Sequence, residues 1–231
     1  MTREILVFVE HDQGELTASA GEALTAARTL GEKLSQKTAA VLIGQDAESL
    51  GETCADYGVE LAYCLTSPLL SDYGPEAWGQ AIVELANQCS PSVILSVGTD
   101  RGNEVLAQVA ARLDAPFAAN SLHVQRGDAW EITRVQWGGS LLEDIVVDAE
   151  LLIVSYTHHS IEPVFFAAEN GIEIRAVEIE LDPALGRTVI CDRVTQTEGV
   201  TLSTASVVVS GGRGVGSADG FAQLEELADL L

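Results

Sequence analysis

Short, continuous apolar runs alternate with stretches of helical period along this chain, and that alternation leaves few folds open. Glu4 to Val9 (Glu-Ile-Leu-Val-Phe-Val), an unbroken apolar run after its first residue, suits a strand buried on both faces of a parallel sheet. Leu16 to Leu34 follows, with Ala20, Ala23, Leu24, Ala27, Leu30 and Leu34 at helical spacing, and Thr38 to Gly44 is a second apolar run. Together they make one β-α-β unit. The pattern continues with a helix from Ala47 to Tyr57 ending at Gly58, a strand from Val59 to Leu65, and a helix from Pro75 to Cys89 with proline near its first turn. Val93 to Val97 is a fourth strand, and Val105, Leu106, Val109, Ala110 and Leu113 mark the next helix.

After Pro116 the texture changes. Ser121 to Arg126, Trp130 to Trp137 and Leu141 to Val147 are separated by Gly127-Asp128 and Gly138-Gly139, so they read as antiparallel strands joined by tight turns. Leu151 to Tyr156 returns to a buried strand, Glu173 to Leu181 alternates, and Thr188 to Thr195 is a further strand candidate. The expected class is α/β, a mostly parallel, Rossmann-like sheet flanked by helices with an appended antiparallel part. Residues 1–200 form this domain, Thr197 to Ala205 reads as a linker, and residues 201–231 begin something new.

That new part is Val207-Val208-Val209-Ser210-Gly211-Gly212-Arg213-Gly214-Val215-Gly216-Ser217, then Phe221, Leu224, Leu227, Ala228 and Leu231 at helical spacing. It reads as strand, glycine-rich turn and helix. Glycines let a backbone approach a ligand closely, a helix N-terminus presents unpaired N–H groups, and Arg213 adds a charge suited to phosphate, so the turn could cradle a diphosphate. No Lys stands where Gly-x-x-x-x-Gly-Lys-Ser/Thr needs one, and Gly212-x-Gly214-x-Gly216 has the wrong spacing for Gly-x-Gly-x-x-Gly. Ser210-Gly211-Gly212 opens like a pyrophosphatase-type Ser-Gly-Gly-x-Asp-Ser loop, but Gly214 and Val215 stand where the Asp and Ser belong. ATP hydrolysis has little support here. A helix alone cannot bury its apolar face, so residues 201–231 look like the start of a truncated second domain.

Charge narrows the partners. With 12 Lys+Arg against 35 Asp+Glu, the net charge of -23 works against nucleic acid or an anionic membrane surface. Lysine occurs only at positions 33 and 37, a pattern that fits either a high-salt cytoplasm or a bias in the source genome. No apolar run approaches the roughly 18 residues needed to span a bilayer, and the opening residues lack a signal-peptide pattern, so the expected compartment is the cytoplasm. Cys54, Cys64, Cys89 and Cys191 have no Cys-x-x-Cys spacing and sit in apolar surroundings, which favours buried thiols.

Other candidate sites read as structure first. Gly98-Thr99-Asp100-Arg101-Gly102-Asn103 lies between a strand end and a helix start, where open α/β sheets place ligands; the plainer reading is a capped helix with a solvated Arg. His158-His159, with Glu162 nearby, hints at a metal, but adjacent histidines at a strand end generally point in different directions, so no metal is expected. Glu143, Asp144, Asp148 and Glu150 suit a solvated face in so acidic a chain, and no nucleophile stands beside a base, so no catalytic constellation is expected. Trp78, Trp130 and Trp137 are core or interface anchors.

Taken with these residues, the chain resembles the alpha subunit family of electron transfer flavoproteins. The likeness runs through Ile5 to His11, the Gly98 to Glu104 loop with its helix, Arg134-Val135-Gln136-Trp137-Gly138-Gly139, and, most specifically, Val207 to Gly214. It implies an adenine nucleotide alpha hydrolase-like first domain that packs against a beta subunit, the subunit that commonly binds AMP. It also implies that Ser210, Gly211, Gly212, Arg213 and Gly214 begin a C-terminal domain binding FAD, with Arg213 at the diphosphate. The remaining flavin contacts of the family lie downstream, so this chain is expected to act as scaffold and docking domain, not as an enzyme. Electrons would pass from acyl-CoA or other dehydrogenases to an acceptor through the FAD. Trp137 and its neighbours are expected at the subunit contact. Two other readings remain: a stress-protein-like nucleotide-binding domain with ligand at Gly98 to Gly102, and a purely structural assembly domain.

Overall fold

The computed structural model describes residues 3–12, 14–166, 171–192, 202, 205 and 207–231. They fall into two compact units, 1–190 and 191–231. The expected boundary at 200, most of the Thr197 to Ala205 linker, and Arg193 to Thr195 lie outside the described residues, while Thr188 to Asp192 is not a strand.

The first unit opens with β1 (Ile5–Phe8), a two-residue hairpin β2–β3 (His11–Asp12 and Glu15–Leu16), α1 (Ala18–Leu34) and β4 (Thr38–Ile43). Next come α2 (Ala47–Cys54), β5 (Leu61–Thr66), α3 (Pro75–Cys89), β6 (Val93–Val97) and α4 (Asp100–Leu113). Then follow β7 (Phe117–Arg126), β8 (Trp130–Gln136), β9 (Leu141–Val147), β10 (Leu152–Tyr156) and β11 (Glu173–Glu178). Nine strands share one sheet in the order β11-β5-β4-β1-β6-β10-β7-β8-β9. From β11 to β7 every neighbour is parallel; β8 and β9 are antiparallel additions.

The apolar runs dictate the layers. Side chains alternate across a strand, so Ile5, Val7 and Val9 face α1 and α2 while Leu6 and Phe8 face α3 and α4. All five are fully buried, which explains why β1 carries no polar residue. Burying each such side chain contributes about 1.5–3 kcal/mol, and helix faces carrying Leu24, Leu30, Ile82 and Val109 complete the two cores. Helix ends are set by backbone conformation: α1, α3 and α4 stop at Ser35, Ser90 and Asp114, each left-handed.

Strand β7 joins two kinds of sheet. Phe117 and Ala118 pair in parallel with β10, whereas Val124 and Arg126 pair antiparallel with Ile132 and Trp130 of β8. Asn120, at φ 56°, sits between the two, and both ladders shift register beside it. The antiparallel part is thus a continuation of the main sheet through β7. Its register sorts the side chains: Trp130 and Ile132 face inward opposite Val147 and Ile145, while Glu131, Thr133 and Val135 face outward opposite Val146, Asp144 and Leu142.

The second unit carries a 3-10 turn at Arg213–Val215, another at Ala218–Phe221, and α5 (Ala222–Leu230). Val207 to Val209 does not form the expected strand; Val207 and Val208 are more than half exposed. Three β-branched residues favour extended backbone, but a strand needs a hydrogen-bonding neighbour, and none of the described residues pairs with them.

Candidate functional site

Three places deserve comparison as sites: the crevice at the carboxyl ends of β1 and β6, the tip of the β8–β9 hairpin, and the glycine turn of the second unit. The crevice follows from topology, since strand order reverses direction about β1, with β4 and β5 on one side and β6 and β10 on the other. In an open α/β sheet a ligand would lie there.

Side chains of the chain itself fill that crevice. Thr99 caps α4 by accepting the Gly102 N–H at 2.9 Å, and its hydroxyl donates to the carboxylate of the buried Glu10. A methyl group on Gly102 would run into the Val97 carbonyl and stand 3.0 Å from Thr99 Oγ1 and 3.2 Å from Glu10 Oε1. Beside it, the Ser155 hydroxyl donates to Asn103 Oδ1 at 2.6 Å, the Asn120 N–H donates to Ser155 Oγ at 3.0 Å, and Asn103 Nδ2 donates to Asn120 Oδ1 at 3.2 Å. Arg101 lies over the Tyr73 ring at 4.9 Å with Asp12 at 3.9 Å, so the guanidinium is engaged rather than merely solvated.

Electrostatics point the same way. Burial pushes the Glu10 carboxyl up from its ordinary 4.5, against the lowering effects of the Thr99 hydrogen bond and the Arg101 charge. His11 is pushed down from 6.5, again mainly by burial; its Nε2 donates to the Ile43 carbonyl at 2.8 Å and its ring stacks near Trp78. A phosphate at the start of α4 would face the Glu10 and Asp100 carboxyls. The arrangement counts against a nucleotide at Gly98 to Gly102. A cleft of 610 Å³ does exist, lined by Arg28, Gln36, Lys37, Glu60 and Arg175, but it borders the amino ends of β4, β5 and β11, away from the switch point.

The hairpin tip is the opposite case. Trp137, Gly138 and Gly139 have φ of 53°, 60° and 94°, and Trp137 is 81% exposed. A left-handed backbone is costly for a bulky residue and marks a place worth explaining. Leu141, Leu142 and Val146 are exposed beside it on β9, which ends the sheet. Trp78 and Trp130, by contrast, are buried. The acidic candidates nearby are a solvated face: Arg134 Nε donates to Glu143 at 2.7 Å, the Thr133 hydroxyl to Asp144 at 2.6 Å, and Arg3 to Glu150 at 2.7 Å.

In the second unit the glycines have unequal roles. A methyl on Gly211 would come within 2.5 Å of Leu224 and 2.7 Å of Val215, so this glycine is demanded by packing. Around Gly212 and Gly214 there is open space, and Ser210 and Arg213 are exposed. That is an accessible backbone with one cation, and α5, among the described residues, buries none of its side chains.

Two readings of single residues change. His158 and His159 do not diverge: His159 adopts φ 63°, and the rings stack with centroids 3.7 Å apart against Glu22, not Glu162. Nothing in the sequence pairs Glu22 with residues so far along the chain. Cys54 and Cys64 are buried, with the Cys54 thiol pushed up to about 12, but Cys89 is half-buried and Cys191 is exposed, so burial does not extend to all four thiols. Among the described residues no helix is long and apolar enough to cross a membrane.

Comparison with known proteins decides the family. The electron transfer flavoprotein domain matches residues 5–182, which is nearly all of the first unit. The chain belongs to the electron transfer flavoprotein domain family. It is similar to the electron transfer flavoprotein subunit alpha of Thermoanaerobacterium thermosaccharolyticum, 31% identical over 244 aligned positions that take in 99% of this chain and 71% of the relative. The subunit alpha of Bacillus subtilis is 28% identical over the whole of this chain and 70% of its own length. Protein FixB of Bradyrhizobium diazoefficiens is 30% identical over 99% of this chain and 64% of its own length.

Proposed function

We propose that the chain serves as the alpha subunit of an electron transfer flavoprotein, with residues 1–200 as the scaffold that docks a beta subunit and residues 201–231 as the opening of an FAD-binding domain. The observation that carries this reading is the exposed apolar edge of β9 with Trp137 at its tip, in a chain that matches alpha subunits along its whole length. An edge strand offers unpaired backbone groups, and exposed aliphatic and aromatic side chains there are a liability unless a partner covers them. Through β8 and β7 that edge is hydrogen-bonded into the same sheet as the parallel body.

Bound FAD would accept electrons from a dehydrogenase, acyl-CoA dehydrogenases among the candidates, and release them to a downstream acceptor. Toward it, Arg213 would offer its guanidinium and Gly212 and Gly214 their uncovered backbone to the diphosphate, with Ser210 and Gly211 shaping the turn. The chain itself supplies position and charge, with no catalytic group of its own. A crevice filled by Glu10, Thr99, Asn103 and Asn120 is in keeping with an alpha subunit whose nucleotide sits on its partner.

The test is to titrate the purified chain with its beta subunit. Trp137→Ala is expected to weaken association about tenfold or more, as loss of a central aromatic anchor does. Unchanged affinity would remove the docking reading. Flavin absorbance supplies the second arm: the chain alone should hold no stoichiometric flavin, and finding it would mean that these residues already enclose the ring.

A further inference from the structure

Glu22 is a carboxylate with only 6% of its side chain exposed, on α1. Among the described residues no Lys or Arg pairs with it; its neighbours are two imidazoles from the turn that follows β10. His158 Nε2 lies 3.6 Å and His159 Nδ1 3.7 Å from the same oxygen, Glu22 Oε1. The three ligand-type atoms lie within 4.8 Å of one another. The other oxygen, Oε2, accepts the backbone N–H of His159 at 2.8 Å, which fixes the orientation of the carboxylate.

Two adjacent residues cannot ordinarily turn their rings to one point. Here the left-handed backbone of His159 stacks the two rings at an interplanar angle of 22° and brings a nitrogen of each to the same carboxylate oxygen; such conformations persist where the surroundings over-determine them. A second bond holds the same segment to α1: the Val164 N–H donates to Thr25 Oγ1 at 3.0 Å.

We propose that Glu22, His158 and His159 form a site for a divalent first-row transition ion of the zinc type. Tetrahedral zinc with bonds of about 2.0–2.2 Å requires ligand atoms about 3.3–3.6 Å apart; the carboxylate-to-imidazole separations are 3.6 and 3.7 Å, all three atoms lie within 4.8 Å of one another, and the stacked rings would tilt apart to turn both lone pairs onto the ion. Two imidazoles and one carboxylate suit zinc, nickel or copper better than magnesium or calcium, which prefer all-oxygen sites. Three protein ligands leave a fourth position for water, and His159, 79% exposed, leaves a path for the ion to enter. The ion would neutralise a buried carboxylate and tie the turn after β10 to α1.

Calorimetric titration of the full chain with zinc chloride tests this. The expected result is one ion per chain, with affinity reduced at least tenfold in His158→Ala and in His159→Asn, the latter chosen because Asn tolerates a left-handed backbone. Glu22→Gln should behave likewise, and circular dichroism of each variant without metal checks the fold; the exposed His159 position keeps the test open if Glu22→Gln misfolds. Cys191→Ser should leave zinc affinity unchanged, and cobalt bound in place of zinc should lack a thiolate charge-transfer band. Absence of stoichiometric binding, histidine variants that bind like the parent, or loss of binding in Cys191→Ser would each overturn the proposal.

Discussion

The middle of the sheet and its β9 end are built on different rules. Around β1 every strand is covered on both faces, and its side chains are uniformly apolar; around β9 only one face is covered, and Leu142 and Val146 stand outward beside Asp144. Strand β7 belongs to both, parallel to β10 for its first residues and antiparallel to β8 for the rest. Apolar surface therefore plays two parts in this molecule. In the body it drives folding, and in the extension part of it stays exposed, where the proposed docking would cover it.

Two tryptophans seven residues apart in the chain make the sharpest probe of that contrast. Trp130 is fully buried and donates its indole N–H to the Ala149 carbonyl at 3.1 Å, so Trp130→Ala should cost about 3–5 kcal/mol of stability in urea denaturation. Trp137→Ala at the exposed tip should change stability by less than about 0.5 kcal/mol, its effect falling on association instead. Comparable stability losses at both positions would erase the distinction.

A smaller effect is expected at the crevice. Gly102→Ala forces a methyl group against the Val97 carbonyl in a region that cannot open without disturbing the start of α4, and overpacking of this kind costs about 1–3 kcal/mol. Chemical denaturation measures it; a neutral result would mean that the crevice has room for a ligand after all.

The smallest effect is one of pH. Because burial raises the Glu10 pKa, the folded state favours the protonated carboxyl, so this group contributes its full stability below the ordinary 4.5 and loses it as pH rises through the folded value. Glu10→Gln keeps the acceptor for Thr99 and removes the titration. Stability of the parent relative to this variant should fall as pH is raised from 4 toward neutrality, and a constant difference would show that the carboxyl is not held in the way the geometry indicates.

Much of the body could be read in the sequence because double burial leaves an unmistakable pattern. Val93 to Val97 and Pro75 to Cys89 are observed over the expected residues, and the glycines at 127 and 138 announced the hairpins. What escaped was pairing between distant residues. Phe117 to Asn120 carries no signal that it will lie parallel to β10, Glu22 none that it will meet two histidines, and Val207 to Val209 looks like a strand because propensity cannot reveal whether a neighbour exists. The glycine turn was legible as a motif, while the division of labour among its glycines emerged only from their neighbours.

The place of β11 has a consequence for the chain as it is made. Strand β5 completes its parallel pairing only when β11 arrives, and Arg175 on β11 reaches Tyr63 on β5 across 112 residues. Synthesis adds residues at about 5–20 per second, so for several seconds on the ribosome β5 stands as the open border of a growing sheet. A nascent chain halted before residue 173 would expose Leu61 to Leu65 as a template for foreign strands, until β11 arrives to pair with it.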